Sequence, residues 1–195
     1  MLALFDLDGT LTRTDTMFAY LRHVVGTPRF VLGMLWLSPM LALHKLGVIG
    51  AGPAKAMLVG HFVRGRTKDE LDAAGVSFAD ELELLLRPGA LERVSWHKDQ
   101  GHRVVIVSAS MRLWLQAWCD RHGLELLCTE PEWRDGRFTG ALASPNCNGP
   151  QKVARVRELL DPEAHRPISA YGDSSGDREL LALADEPTFR PFRSA

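Results

Sequence analysis

From Ala90 onward the chain alternates between helical and extended patterns, and each extended pattern is a short apolar run. Residues 90–100 read as a helix that Gly101 ends, and 102–110 (HRVVIVSAS) as a strand. Residues 111–122 read as a helix ended by Gly123, and 124–129 as a further strand. EWRDGRFTG reads as a hairpin turning at Asp135-Gly136. A helix over 150–160, a strand over 168–172, a helix over 175–184 and a last short strand over 188–190 complete the series. Strands apolar on both faces need cover on both sides, which a parallel sheet between helical layers provides.

The first strand, 2–6, stands apart from this series. Between them lie four predicted helices: 15–25 before Gly26 and Pro28, 30–44, 53–64, and 67–86, where Thr67 and Glu70 fit a capping box. The predicted fold class is therefore α/β: a doubly wound parallel sheet with an all-helical cap inserted after its first strand. The predicted division is a core of 1–13 and 87–195 and a cap of 14–86.

The first strand ends in two acids, Asp6 and Asp8, followed by Gly9-Thr10. Like charges about 4 Å apart repel by roughly 4 kcal/mol at an effective dielectric near 20, so something must offset the pair. Bulk composition narrows the options. There are 23 basic and 24 acidic residues, which argues against a nucleic-acid partner held by net charge. Cys119, Cys128 and Cys147 have no paired spacing, so neither a disulfide framework nor a thiolate zinc site is expected. The seven histidines show no metal spacing. Asp6 and Asp8 interrupt the apolar start, and no signal peptide is expected; a reducing, cytoplasmic location is the default.

In doubly wound sheets, ligands bind beyond the carboxyl ends of the strands. Those ends carry Asp6, Asp8 and Thr10 on the first strand, Ser108 and Ala109 on the second, and Asp173 with Asp177 on a third. Lys152 opens the helix after Gly149-Pro150. Singly, each has an ordinary reading: a turn acid, a helix-capping serine, a solvated lysine, acids at a helix start. Their coincidence at one sheet edge does not.

DLDGT, VSAS, the isolated Lys152 and GDSSGD resemble the four motifs of the haloacid-dehalogenase-like phosphohydrolases. The all-helical insertion, DGRFTGAL and NCNGPQKVARV are similar to the branch that contains phosphoserine phosphatase. The apolar insertion and the spacing from Cys147 to Lys152 look closer to bacterial phosphatidylglycerophosphatases of type C and their relatives. Two features differ from phosphoserine phosphatase and count against phosphoserine as substrate. Gly176 stands where that enzyme carries Asn, and 30–44 is far more apolar than its cap.

The resemblance implies a phosphatase acting on a small phosphomonoester with Mg²⁺ as cofactor. Mg²⁺ would be held by the Asp6 and Asp173 carboxylates and the Asp8 main-chain carbonyl. Asp6 would be the nucleophile that forms an aspartyl phosphate, and Asp8 the acid and then the base. Ser108, Lys152, Thr10 and main-chain N–H groups at Leu7, Asp8 and Ala109 would cradle phosphate, with Thr10 bracing Asp8. Asp177 would orient Lys152 or a metal-bound water, or ligate the metal itself. Asp15 matches an acidic cap position that binds substrate, and equally reads as an acid in the first turn of a helix. Arg64 is a further candidate for substrate contact, although its cluster with Arg66 and Lys68 reads more readily as a solvated helix end.

FVLGMLWLSPMLALH, from Phe30, has no Asp, Glu, Lys or Arg in fifteen residues. It is short for a membrane span and contains Pro39. The favoured expectation is a helix buried in the cap; the alternative is contact with lipid at a membrane surface. Three alternative functions accompany the main one: a lipid-phosphate phosphatase, a phosphotransferase, and a non-catalytic phosphate-binding module. A module that only binds has no need of Asp8.

Overall fold

The computed structural model describes residues 1–193, so the last two residues of the expected core lie outside them. Five parallel strands form one sheet in the order β3-β2-β1-β6-β7. They are β1 (Leu2–Phe5), β2 (Arg103–Met111), β3 (Glu125–Thr129), β6 (Ile168–Gly172) and β7 (Glu186–Phe189). β4 (Pro131–Arg134) and β5 (Arg137–Leu142) form the predicted hairpin, with Asp135 and Gly136 both at positive φ in its turn. β1 lies between β2 and β6, pairing Phe5 with Ile106 and with Tyr171. It is buried throughout, as its unbroken apolar run requires.

Four helices follow β1: α1 (Thr16–Val25), α2 (Thr27–Lys45), α3 (Ala51–Val63) and α4 (Lys68–Leu85). The later helices are α5 (Ala90–Asp99), α6 (Arg112–His122), α7 (Pro150–Leu159) and α8 (Arg178–Leu183). The capping box of Thr67 and Glu70 is formed at the start of α4. One boundary differs from the sequence reading. Gly26 and Pro28 do not close a loop before residue 30; α2 already begins at Thr27, because a proline in the first turn gives up an N–H that has no helical partner there. The last strand also begins earlier, at Glu186.

The chain leaves the sheet and returns to it through two paired segments. Arg13 N donates to Leu85 O (2.8 Å) and Arg87 N to Leu11 O (2.7 Å). The helical insertion also rests on the core. Tyr20 stacks on Trp114, whose indole N–H reaches Thr16 Oγ1 (3.0 Å), and Trp118 Nε1 donates to Glu83 (3.1 Å). At the far end of α3, Gly65 N donates to Phe138 O (2.8 Å) and Phe138 N to Arg66 O (3.0 Å), fastening the α3–α4 turn to the hairpin. These ties fix where α1 and α3 face the sheet edge.

His97 on α5 is buried between His102 Nδ1 and the Tyr171 hydroxyl, each 2.9 Å away. Burial, then the neighbouring His102 and Arg93, push its pKa from 6.5 down to about 4. Between those values the unfolded chain holds a proton that the folded chain does not, so stability is complete above about pH 6.5 and falls as pH drops toward about 4. The expected loss is at most ~3 kcal/mol, measured by denaturant unfolding across this range. His97→Phe should flatten the slope; an unchanged slope would assign it to other groups.

Candidate active site

Asp6 N is still hydrogen-bonded to Tyr171 O (2.9 Å), so the first acid sits at the very end of the β1 ladder. The chain then turns tightly over Leu7–Leu11, closed by Thr12 N to Leu7 O (3.0 Å) and braced by Arg87 Nε on Gly9 O and Thr12 O (3.1 Å each). Gly9 has φ +85°, and a Cβ there would lie 2.6 Å from Asp173 Oδ2. Only glycine allows both that conformation and the close approach of the β6 acid.

Asp6 is buried and both its oxygens are engaged. Thr10 Oγ1 donates to Oδ2 (2.8 Å) and Lys152 Nζ to Oδ1 (2.5 Å). Lys152, also buried, reaches Asp177 Oδ1 (2.7 Å). Desolvation works against its charge, but the two carboxylates prevail and hold its pKa above the ordinary lysine value. Burial pushes Asp6 up, opposed mainly by Lys152. Asp177 is held below the ordinary carboxylate range: burial pushes it up but Lys152, the largest opposing influence, wins. Its Oδ2 also accepts from Asp173 N (3.1 Å), Ser174 N (3.0 Å) and Ser174 Oγ (2.9 Å). Asp177 thus orients Lys152 and shapes the turn that carries Asp173.

Asp8 is held differently. Thr16 N donates to its Oδ1 (2.7 Å) and Ser110 Oγ to its Oδ2 (2.5 Å), so its side chain is fixed away from Asp6 by groups on α1 and β2. A cavity of about 120 Å³ joins them. Its walls include Asp6, Asp8, Asp15, Ala109, Lys152 and Asp177. A larger cleft of about 280 Å³ opens beside α4 and α6 and carries none of these strand-end residues.

Asp6, Asp173 and Asp177 each present an oxygen within 4.8 Å of the others. Three acids against Lys152 and Arg193 still leave excess negative charge, and the donors are all hard oxygens, so the set fits Mg²⁺. Burial and then Asp177 push Asp173 above the ordinary value, while Arg193 (2.6 Å) opposes this.

Three expected site residues are placed otherwise. Thr10 is fully buried and its hydroxyl is spent on Asp6, so it positions the first acid rather than Asp8 or a phosphate. Ser108 is fully buried, and its Oγ accepts from Ser110 N (3.0 Å), which leaves its own O–H able to donate; Ser110, in the irregular stretch of β2 after Val107, lines the cavity. Arg64 caps the far end of α3, where its side chain lies beside Gly140, outside the cavity. Asp15 is the N-cap of α1, accepting from Met17 N (2.8 Å), and it also lines the cavity.

The residues not anticipated are Lys55, Asn146 and Asn148. Lys55, nine residues before Arg64 on α3, reaches down to Ala109 O and to Asn146 Oδ1 (2.7 Å). Burial lowers its pKa, against the pull of Asp8 and Asp15. Asn148 covers Gly176: a Cβ at residue 176 would lie 2.0 Å from Asn148 Oδ1. Asn148 thus fills the space that a side chain at 176 would need, and it lines the cavity. Asn148 lay in the quoted NCNGPQK stretch, whereas nothing in the sequence near Lys55 marks it.

The sequence pattern of the haloacid dehalogenase-like hydrolases matches residues 3–182. This chain belongs to that family. The chain is 37% identical over 200 residues to protein CicA of Caulobacter vibrioides, covering 99% of this chain and 87% of that protein. A crystal structure of a protein of unknown function from Bordetella pertussis Tohama I superposes with TM-score 0.84 at 26% identity, over 95% of this chain and 87% of that one. A phospho-aspartyl intermediate analogue of phosphoserine phosphatase superposes with TM-score 0.66 at 17% identity, over 95% and 84%, and shows the same fold.

Proposed function

We propose that this family member is a Mg²⁺-dependent phosphomonoester hydrolase that works through an aspartyl phosphate on Asp6. The observation that carries the reading is the difference between the two acids. Asp6 is clamped by Thr10 and Lys152, while Asp8 faces the same cavity from separate supports. Asp6 attacks phosphorus and the bond to the leaving oxygen breaks as Asp8 delivers its proton there. Asp8 then takes a proton from the water that attacks the phosphorus of the aspartyl phosphate, and inorganic phosphate and free Asp6 result. Lys152 and main-chain N–H groups near Ala109 stabilise charge on the phosphoryl oxygens. Asp6, Asp173 and the Asp8 carbonyl would hold Mg²⁺, which supplies further neutralisation of phosphate charge when bound.

A cavity of about 120 Å³ suits a phosphoryl group and little more. Asp15, Met17 and Lys55 form its cap-side wall and are placed to meet the leaving group. A small phosphorylated metabolite is the first substrate class. A lipid phosphate is the second, favoured by the exposed apolar side of α2.

The test is phosphate release with Mg²⁺ across amino-acid, sugar, nucleotide and detergent-solubilised lipid phosphates. Release is expected in at least one class and should stop in excess chelator. Activity that persists in chelator would remove the metal from the reading.

A further inference from the structure

Helix α2 was expected to be covered on every side, and it is not. Phe30 stacks on Phe62 of α3, and Leu37 and Met40 are buried, but the opposite side is open. Leu32 is 67% exposed, Leu35 65% and Trp36 78%; Leu43 continues the row, followed by Leu46 at 76% and Val48 at 70% in the turn after the helix. Residues 32, 36, 43 and 46 follow helical spacing, so this is one continuous face. Ser38, also exposed, turns its hydroxyl to Leu35 O (2.8 Å), so it asks nothing of the surroundings. An apolar row of this size on a monomer marks a contact surface.

Charge identifies the partner. Residues 16–68 hold seven of the chain's 23 Lys and Arg and none of its 24 Asp and Glu, which leaves 16 basic against 24 acidic elsewhere. Arg29 and Lys45 stand exposed near the two ends of α2, and neither takes part in an ion pair among the described residues. The insertion as a whole, 14–86, is neutral, with seven basic and seven acidic residues, but its acids lie at Asp15 and on α4; the apolar row, bounded by exposed Arg29 and Lys45 in a stretch without acids, complements the surface of an anionic phospholipid bilayer. Among the described residues no helix is long and apolar enough to cross a membrane. We infer that α2 and the turn after it lie on an anionic bilayer, with Leu32, Leu35, Trp36, Leu43 and Leu46 in the acyl boundary and Arg29 and Lys45 at the headgroups.

This surface is independent of the reaction at Asp6, so Asp6→Asn should bind vesicles as the unaltered chain does whether or not the proposed chemistry holds. The experiment is flotation with vesicles of phosphatidylcholine alone and of phosphatidylcholine mixed with phosphatidylglycerol. Partition onto the anionic vesicles is expected, weakening as salt is raised. The pair Leu35→Gln and Trp36→Gln should lower it about tenfold or more, and Arg29→Gln or Lys45→Gln about fivefold each. All four positions are exposed, and unchanged thermal unfolding would show that the variants fold. The inference is overturned by absence of partition, by partition indifferent to the Leu35 and Trp36 changes, or by a dimer in solution that those changes dissolve.

Discussion

Asp6→Asn is expected to lower phosphate release about 10⁴-fold or more while leaving the fold intact. The amide keeps the shape of the carboxylate, and its oxygen can still accept from Thr10 Oγ1. Its NH₂ then meets Lys152 Nζ, donor against donor, but the lysine keeps Asp177 at 2.7 Å. A buried cation with one good partner is tolerable, so the loss is chemical rather than structural: an amide does not displace an alkoxide from phosphorus. Initial rates on any substrate found by the screen check the size of the effect, and thermal unfolding checks the fold. A companion variant separates nucleophile from acid. Asp8→Asn retains Asp6, so with p-nitrophenyl phosphate, whose leaving group needs no proton, a phosphorylated chain should accumulate and be seen by mass spectrometry. If Asp6→Asn keeps activity within about tenfold of the unaltered chain, Asp6 is not the nucleophile.

How much of this site the sequence exposes depends on the link that places each residue. Asp6, Asp8, Asp173 and Lys152 are set by local structure: each follows a short apolar strand or opens a helix, and strand order brings those ends together. Lys55 is set by tertiary packing alone. It reaches Ala109 only because the turn after α3 is fastened to the hairpin through Gly65 and Phe138, a contact no local pattern announces. Arg64 drew attention as part of a basic cluster, yet the same fastening holds it at the wrong end of the helix. Ser108 and Ser110 lie where the register of β2 against β3 shifts, so strand alternation does not say which of them reaches the cavity. Ser110 Oγ donates to Asp8, while Ser108 Oγ accepts from Ser110 N and keeps its own proton to donate.

Helix α2 shows the opposite limit. Its sequence is apolar on both sides, which states that both sides leave water but not what covers each. The core covers the side of Leu37 and Met40 and leaves the side of Trp36 open. A run expected to be core is therefore buried on one side only, and its own pattern does not say which side.

Lys152→Met should be the most destabilising single change at the site, by about 3–5 kcal/mol near neutral pH. Methionine fills nearly the same volume, so the loss is electrostatic. Asp6 and Asp177, both buried, would be left facing each other without the cation that lies 2.5 and 2.7 Å from them. The pH dependence distinguishes this from a packing defect. In the unaltered chain Asp177 is held below its ordinary value of 3.8, so its contribution is present above that value and is lost as pH falls through the lowered one. Without Lys152, Asp177 rises above its unfolded value and Asp6, raised already by burial, rises further, so the folded chain binds more protons than the unfolded one. Asp6 already stands at about 7 with Lys152 in place, so the deficit should be largest above the raised values and shrink as pH falls through them, as one acid takes a proton and shares it with the other. Denaturant unfolding of both chains across this range measures the difference. A deficit that stays constant with pH would mean that Lys152 contributes mainly by packing. Mg²⁺ offers an independent check. If Asp6 and Asp173 hold a divalent cation with Asp177 beside them, adding it should raise the melting temperature of Lys152→Met more than that of the unaltered chain, because the variant has more unbalanced charge to neutralise.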